Sequence, residues 1–110
     1  MKDLTSQTEL GQVFDAERAI LYKHSTHCGL STTAIKQVRQ FAEIFPAAPI
    51  YRLKVIENRA LSDEVEERTR IRHETPQVIL FKGGQALFHA SHRAVRMKTM
   101  SAWWQESSSE

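Results

Sequence analysis

Cysteine is nearly absent from this sequence: Cys28 is the only one among 110 residues. A single thiol cannot form a disulfide within its own chain, and it cannot supply the four ligands of an iron–sulfur cluster. Free cysteine is among the most buried residue types and is usually inert. Cys28 is therefore either a small packing residue or a nucleophile that bonds to another molecule.

Long apolar runs and a strong net charge are absent as well. No run approaches the roughly 18 residues needed to cross a bilayer, and the opening MKDLTSQTEL lacks the apolar core of a signal peptide. The net charge is only +2, so neither a nucleic acid nor a membrane is expected as a partner. One cysteine without an export signal predicts a cytoplasmic, reducing setting.

The length of the chain suits one domain, because two would be too small to hold separate cores. We expect that domain to span residues 1–106. The remaining residues, 107–110, are polar and are expected to form a disordered tail.

Four segments have the apolar periodicity of helices. Ser6 opens a capping box at the start of the first. The second runs from about Leu30 until Pro46 ends it. Ser62 caps the third, whose acidic residues come first and whose arginines come last, an order that suits the helix dipole. Residues 95–104 form the fourth.

Apolar runs between these helices predict the strands. Residues 19–24 form a buried strand, residues 50–56 form an alternating one, and two further runs flank Gly83 and Gly84 as a tight hairpin. Strands separated by helices are normally parallel. The sequence therefore predicts an α/β fold with a central mixed sheet of about four strands, helices on both faces, and a C-terminal β-hairpin plus helix.

Cys28 lies where the first strand ends and the second helix begins. The first turn of a helix has free N–H groups and a partial positive charge, which favour a thiolate, the species that attacks disulfides. We expect Gly29, Leu30 and Ser31 to stabilise that thiolate. Ser31 stands where a dithiol oxidoreductase would carry its second cysteine, and its hydroxyl could bond the sulfur. The segment CGLS thus describes a one-thiol site whose mixed disulfide must be resolved by a second molecule.

The histidines allow a metal interpretation, which the spacing does not favour. His89 and His92, with His73 or Cys28, could supply zinc ligands. The sequence nevertheless has no CxxC or HxxxH pair, so we expect no metal site. His27, directly before the cysteine, either tunes the thiolate or stays solvated.

Several blocks of the sequence resemble known families. The order of elements, the cysteine at the first strand-to-helix junction and Thr75-Pro76 before a hairpin resemble the thioredoxin fold. More closely, ILYKHSTHCGLS, VIENR, ERTRIRHETPQVILFKGG and HASH resemble the bacillithiol-linked YtxJ family, the monothiol bacilliredoxins, over about residues 19–92. The resemblance implies a single thioredoxin-like domain with one active cysteine, Cys28. It also implies that Pro76 is cis and faces Cys28, and that the Thr75 backbone orients the incoming disulfide.

The same resemblance implies an activity. Family members are thiol–disulfide oxidoreductases that remove bacillithiol from client proteins carrying it as a mixed disulfide. Bacillithiol, or a similar low-molecular-weight thiol, would be a co-substrate rather than a bound cofactor. Its acidic and sugar parts require basic or polar neighbours, for which Lys23, Arg72 and Lys82 are candidates. The oligomeric state stays open.

One departure from the family, and two other functions, stand beside this interpretation. The family usually has Thr-Cys-Pro where this chain has His27-Cys28-Gly29, and glycine loosens the first helical turn. The segment CGLS also resembles the CGFS of monothiol glutaredoxins, in which two subunits would hold an iron–sulfur cluster through Cys28 and two small thiols. No Gly-Gly-Cys/Ser-Asp segment follows the hairpin. The third alternative is a thioredoxin-fold adaptor whose cysteine is inert.

Overall fold

The computed structural model describes residues 1–108, and within them the chain forms five strands and four α-helices. The strands are β1 (Lys2–Asp3), β2 (Arg18–His24), β3 (Ile50–Lys54), β4 (Gln77–Lys82) and β5 (Gln85–Ser91). The helices are α1 (Gln7–Asp15), α2 (Gly29–Ile44), α3 (Arg59–Thr69) and α4 (Met97–Glu106), with a short 3-10 turn at His92–Ala94. None of the helices in this part of the chain is long and apolar enough to span a membrane.

The strands form one mixed sheet in the order β1-β3-β2-β4-β5. The predicted α/β class is confirmed, but the expected strand count was one too low. The missed strand, β1, pairs in parallel with β3 and is only two residues long, too short for any periodicity to show. It is held by Arg52, which donates two hydrogen bonds to the Asp3 carboxylate at 2.6 and 3.0 Å.

Strand β4 runs antiparallel to β2, whereas the helix before it predicts a parallel strand. Gln77 pairs with Lys23 at the carboxyl end of β2, and Lys82 pairs with Arg18 at its beginning. The reason is the segment 70–76, which has no helix or strand and returns the chain from the end of α3 to the carboxyl end of β2. Thr75 and Pro76 therefore lie at the same end of the sheet as Cys28.

Helix α3 begins earlier than its sequence predicts. Asn58 is the N-cap residue, and Ser62 lies inside the helix, where its side chain is buried. The helix must start before Ser62 because Leu61 and Val65, four residues apart, both face the core. The first turn consequently holds no acidic residue.

Two apolar cores cover the two faces of the sheet. Ile20 and Tyr22 of β2 belong to the core under α2 and α4, whereas Ala19 and Leu21 belong to the core under α1 and α3. This alternation is the strand period of two, and burial on both faces explains why β2 is a nearly continuous apolar run.

The end of α4 is fixed to the end of the sheet where β2 begins, whereas Cys28 follows the other end of β2. The Arg18 guanidinium lies 3.5 Å over the Trp104 ring and donates to the Trp104 carbonyl at 2.6 Å and to Ser107 Oγ at 3.1 Å. Lys82 Nζ donates to the Ser107 carbonyl at 2.8 Å. Ser107, which the sequence assigns to the tail, is therefore buried and hydrogen-bonded, while residues 109–110 lie outside the described residues.

The β4–β5 hairpin turns at two glycines with positive φ, 59° at Gly83 and 82° at Gly84. Positive φ at both central residues is the requirement of a type I′ turn, which glycine meets without strain. A Cβ on Gly84 would lie 2.9 Å from the Phe14 carbonyl oxygen, whereas a Cβ on Gly83 would meet nothing within 4 Å.

This difference makes the two glycines a matched pair for stability. Gly83→Ala should lower the free energy of unfolding by about 1 kcal/mol through its positive φ alone. Gly84→Ala should lower it by about 2–3 kcal/mol, because the backbone of α1 must also shift. Urea unfolding followed by tryptophan fluorescence measures both. Equal losses for the two variants would contradict the close contact with Phe14.

Candidate functional site

Cys28 is the N-cap residue of α2, and its thiol is partly exposed. Its own N–H donates to the Ser25 carbonyl at 3.2 Å, which closes the short loop after β2. Gly29 and Leu30 are the first two residues of the helix, so their N–H groups have no intrahelical acceptor. The cysteine side chain thus stands beside unpaired donors at the positive end of a 16-residue helix.

Ser31 supports the loop around the cysteine. Its buried Oγ accepts the Ser25 N–H at 3.3 Å, and its N–H donates to the Cys28 carbonyl at 3.0 Å. Of the three residues expected to offer N–H groups to the sulfur, Ser31 therefore already has an acceptor in the backbone. Its hydroxyl oxygen accepts from the Ser25 N–H, and within residues 1–108 no hydrogen bond joins this hydroxyl to the Cys28 sulfur.

Thr75 meets Cys28 across 47 positions of sequence. The thiol donates to the Thr75 carbonyl with 3.6 Å between sulfur and oxygen. The Thr75–Pro76 peptide bond is cis. Pro76 in turn accepts the His92 N–H at 2.8 Å, so three distant segments converge at one end of the sheet.

Tyr22 and His24 belong to this end of β2, and sequence reasoning missed them as part of the site. The Tyr22 hydroxyl is 2.8 Å from His24 Nδ1 and 3.3 Å from the Ser31 carbonyl, to which it donates. Burial raises the pKa of Tyr22 to about 12, so it remains a neutral donor at physiological pH. Burial also lowers the pKa of His24. The strand period indicates Tyr22, because it shares the α2 face with Ile20.

His27 is exposed on the loop. Its N–H donates to Ser25 Oγ at 3.2 Å. Among residues 1–108 no cluster of three or more His, Cys, Asp or Glu side chains is arranged to hold a metal ion.

Two of the three basic residues suggested for the acidic part of a small thiol lie elsewhere. Lys82 ends β4, roughly 16 Å along the strand from Gln77, where its ammonium group binds Ser107. Lys23 is fully buried on the α3 face, with its Nζ 3.3 Å from His73 Nδ1. Arg72 is exposed in the segment before Thr75. Strand direction and alternation, which sequence proximity does not reveal, separate Lys82 and Lys23 from the sulfur.

A groove of about 450 Å³ opens between the first turns of α2 and the segment after β5. We call it the basic groove, and its polar and charged lining includes the residues Thr33, Gln37, His92, Arg93 and Arg96. Leu30 belongs to its α2 wall. Sequence reasoning missed it, although three basic residues follow one another closely in HRAVR after the hairpin.

Comparisons with known proteins agree with this geometry. The family model described as monothiol bacilliredoxin BrxC matches residues 2–100. A solved protein of thioredoxin fold, for which an oxidoreductase role has been suggested, is 26% identical, with 92% of this chain and 90% of that chain covered and a TM-score of 0.85.

Two thioredoxins superpose at lower identity. Mitochondrial thioredoxin 3 from Saccharomyces cerevisiae has 16% identity, 96% and 94% coverage and a TM-score of 0.79. Fasciola hepatica thioredoxin has 13% identity, 98% and 100% coverage and a TM-score of 0.79. The expected thioredoxin fold is confirmed, and the family match supports a thiol redox role.

The buried Lys23 gives a pH-dependent prediction. Burial lowers the pKa of Lys23 to about 8, from the ordinary lysine value of 10.5 expected in the unfolded chain. Between these values the unfolded state binds more protons than the folded state, so the free energy of unfolding rises with pH by up to about 1.4 kcal/mol per unit. Lys23→Met should therefore have a higher free energy of unfolding than the wild type at pH 7. The gap between the two free energies should shrink from pH 8 to pH 10.

Urea unfolding at pH 7, 8.5 and 10 measures this gap. Lys36→Met, at an exposed position of α2, is the matched control and should show a gap that does not change with pH. A Lys23→Met gap that stays constant or widens would rule out the buried, uncharged state of Lys23.

Proposed function

The chain belongs to the monothiol bacilliredoxin BrxC family, and from this premise we propose that it removes bacillithiol from client proteins that carry it as a mixed disulfide. The observation that carries the proposal is the partly exposed Cys28 thiol at the start of α2, facing the Thr75 carbonyl. Cys28 is the catalytic nucleophile in this proposal. The setting is the cytoplasm, where small thiols keep proteins reduced.

The reaction consists of two thiol–disulfide exchanges. In the first, the Cys28 thiolate attacks the bacillithiol sulfur of the mixed disulfide. A bond forms between these two sulfurs, the bond to the client sulfur breaks, and the client leaves as a thiolate that takes up a proton. In the second, the thiolate of another bacillithiol attacks the bacillithiol sulfur on Cys28. Bacillithiol disulfide leaves, and the Cys28 thiolate is restored.

The groups around the sulfur have different roles in the two protonation states. The thiol donates a hydrogen bond to the Thr75 carbonyl, a contact that exists only while the sulfur is protonated. Once the proton leaves, the N–H groups of Gly29 and Leu30 stabilise the negative charge. The Thr75 carbonyl is then free to accept an N–H from the bound small thiol, in the manner of an added strand. Pro76 and Ser31 hold the two sides of the site in place.

A second thiol molecule is required because Cys28 is the only cysteine of the chain, which therefore offers no second thiol. Ser31 occupies the position of a resolving cysteine, and it is buried and hydrogen-bonded to Ser25. His27, exposed beside the cysteine, is a further polar group at the entrance. The partners in this proposal are therefore modified client proteins and the free small thiol.

Replacing the nucleophile tests the proposal. Cys28→Ser should abolish release of bacillithiol from a modified client and should form no adduct with bacillithiol disulfide. The wild type should gain the mass of one bacillithiol, and faster than it gains glutathione from glutathione disulfide. Intact-mass spectrometry over time measures both reactions.

A thermal unfolding curve is the control, because a small change at a partly exposed position should leave the melting temperature nearly unchanged. Continued release of bacillithiol by a folded Cys28→Ser protein would disprove the role of Cys28. A wild type that prefers glutathione would disprove bacillithiol as its substrate.

A further inference from the structure

The basic groove is lined by residues that neighbour both Cys28 and Thr75. On one side, Leu30 lines the groove two residues after Cys28. On the other side, His92 lines it and donates its N–H to Pro76, next to the Thr75 carbonyl that accepts the thiol. A small molecule joined through sulfur to Cys28 would therefore have the groove directly beside it. A volume of about 450 Å³ lies in the range of small-molecule sites.

The charges of the groove have one sign. Its lining contains His92, Arg93 and Arg96 and no acidic residue. Within residues 1–108 neither arginine forms an ion pair, and Arg96 Nε donates only to the Arg93 carbonyl, at 3.2 Å. The Glu74 carboxylate interacts with His92, since a hydrogen bond from Ser91 and then the charge of His92 lower its pKa, but neither arginine is among the groups that shift that pKa. Arg93 and Arg96 thus remain available to an anion from outside.

The backbone holds these arginines in a fixed turn. His92 has φ 56°, an uncommon conformation for a residue with a side chain. It is kept there by its N–H to Pro76 and by its carbonyl, which accepts the Val95 N–H at 3.2 Å. Gln37 joins the α2 wall of the groove to the start of α4, since its Oε1 accepts the Met97 N–H at 2.8 Å. The site is therefore built from ordered backbone on both sides.

We propose that the basic groove binds the carboxylate-bearing part of the small thiol, with Arg93 and Arg96 as the residues that select an anionic thiol. This inference rests on the proposed function for the identity of the thiol, bacillithiol, whose acidic part supplies the carboxylates. Arginine suits this task because its planar guanidinium pairs with a carboxylate through two parallel hydrogen bonds. In this proposal Arg93 and Arg96, rather than Lys23 and Lys82, are the basic neighbours of the ligand.

Adduct formation at Cys28 tests the selection. The rate with bacillithiol disulfide, which is anionic, is divided by the rate with bis(2-hydroxyethyl) disulfide, which is uncharged. The variant Arg93→Gln/Arg96→Gln should reduce this ratio about tenfold, equivalent to about 1.4 kcal/mol. The matched control is Lys36→Gln/Arg39→Gln, which removes the same two charges from exposed positions of α2 outside the groove. The control should reduce the ratio less than twofold.

A ratio unchanged in the arginine variant would overturn the proposal. An equal reduction in the control would also overturn it, because the effect would then be general attraction between charges. Intact-mass time courses give all the rates.

A binding measurement separates this inference from the proposed function. S-methyl bacillithiol cannot exchange, so it reports recognition without chemistry. Titrated into the Cys28→Ser protein, it should shift the backbone amide signals of Leu30, Gln37 and Arg93 in nuclear magnetic resonance spectra. Its Kd should rise about tenfold when Arg93 and Arg96 are also replaced. Shifts confined to other parts of the surface, or none, would overturn the groove even if exchange at Cys28 is active. Binding in the groove without any exchange by the wild type would uphold the groove and refute the proposed function.

Discussion

The burial of strand β2 on both faces is the constraint on which the rest of this structure depends. Its five central residues are buried, and both of its edges are paired, with β3 on one side and β4 on the other. Such a strand has no freedom to slip, because a shift of one residue would exchange the contents of the two cores. Only a short loop separates the end of β2 from Cys28, so the fixed strand also fixes the position of Cys28.

Most of the architecture follows from periodicity in the sequence, and the parts that do not have physical reasons. The helical and strand periods predict the class of fold and eight of its elements in outline, among them the two strands of the hairpin at Gly83 and Gly84. Strand β1 is too short to show a period. The direction of β4 depends on the path of residues 70–76, which have no regular structure. Ser62 is typical of an N-cap residue, so the sequence predicts that α3 starts there. In the structure Ser62 lies inside the helix, where its hydroxyl hydrogen-bonds His73 instead of capping the helix.

The residues of the site likewise fall into those that the sequence predicts and those that it does not. Cys28, Thr75 and Pro76 could be singled out from the sequence because each stands at the junction of two elements and resembles a family pattern. The basic groove could not be, since its two walls are about 60 residues apart and its arginines lie on a turn without periodicity. Ser31 was expected near the sulfur, but its hydroxyl is bound to the Ser25 backbone. A serine thus maintains the shape of the first helical turn while removing the chemistry of a second thiol.

The attachment of α4 has a practical consequence. Arg18, Lys82 and Trp104 secure the end of that helix where β2 begins, while Cys28 lies where β2 ends, about 20 Å farther along the strand. A fluorescent protein joined directly after Ser108, the last described residue, would leave from the end of the sheet opposite the reactive thiol. Its bulk would not obstruct a large client approaching Cys28. The geometry therefore favours carboxyl-terminal fusions for building an optical redox sensor from this domain, and surface immobilisation through the same end would present the thiol to solution.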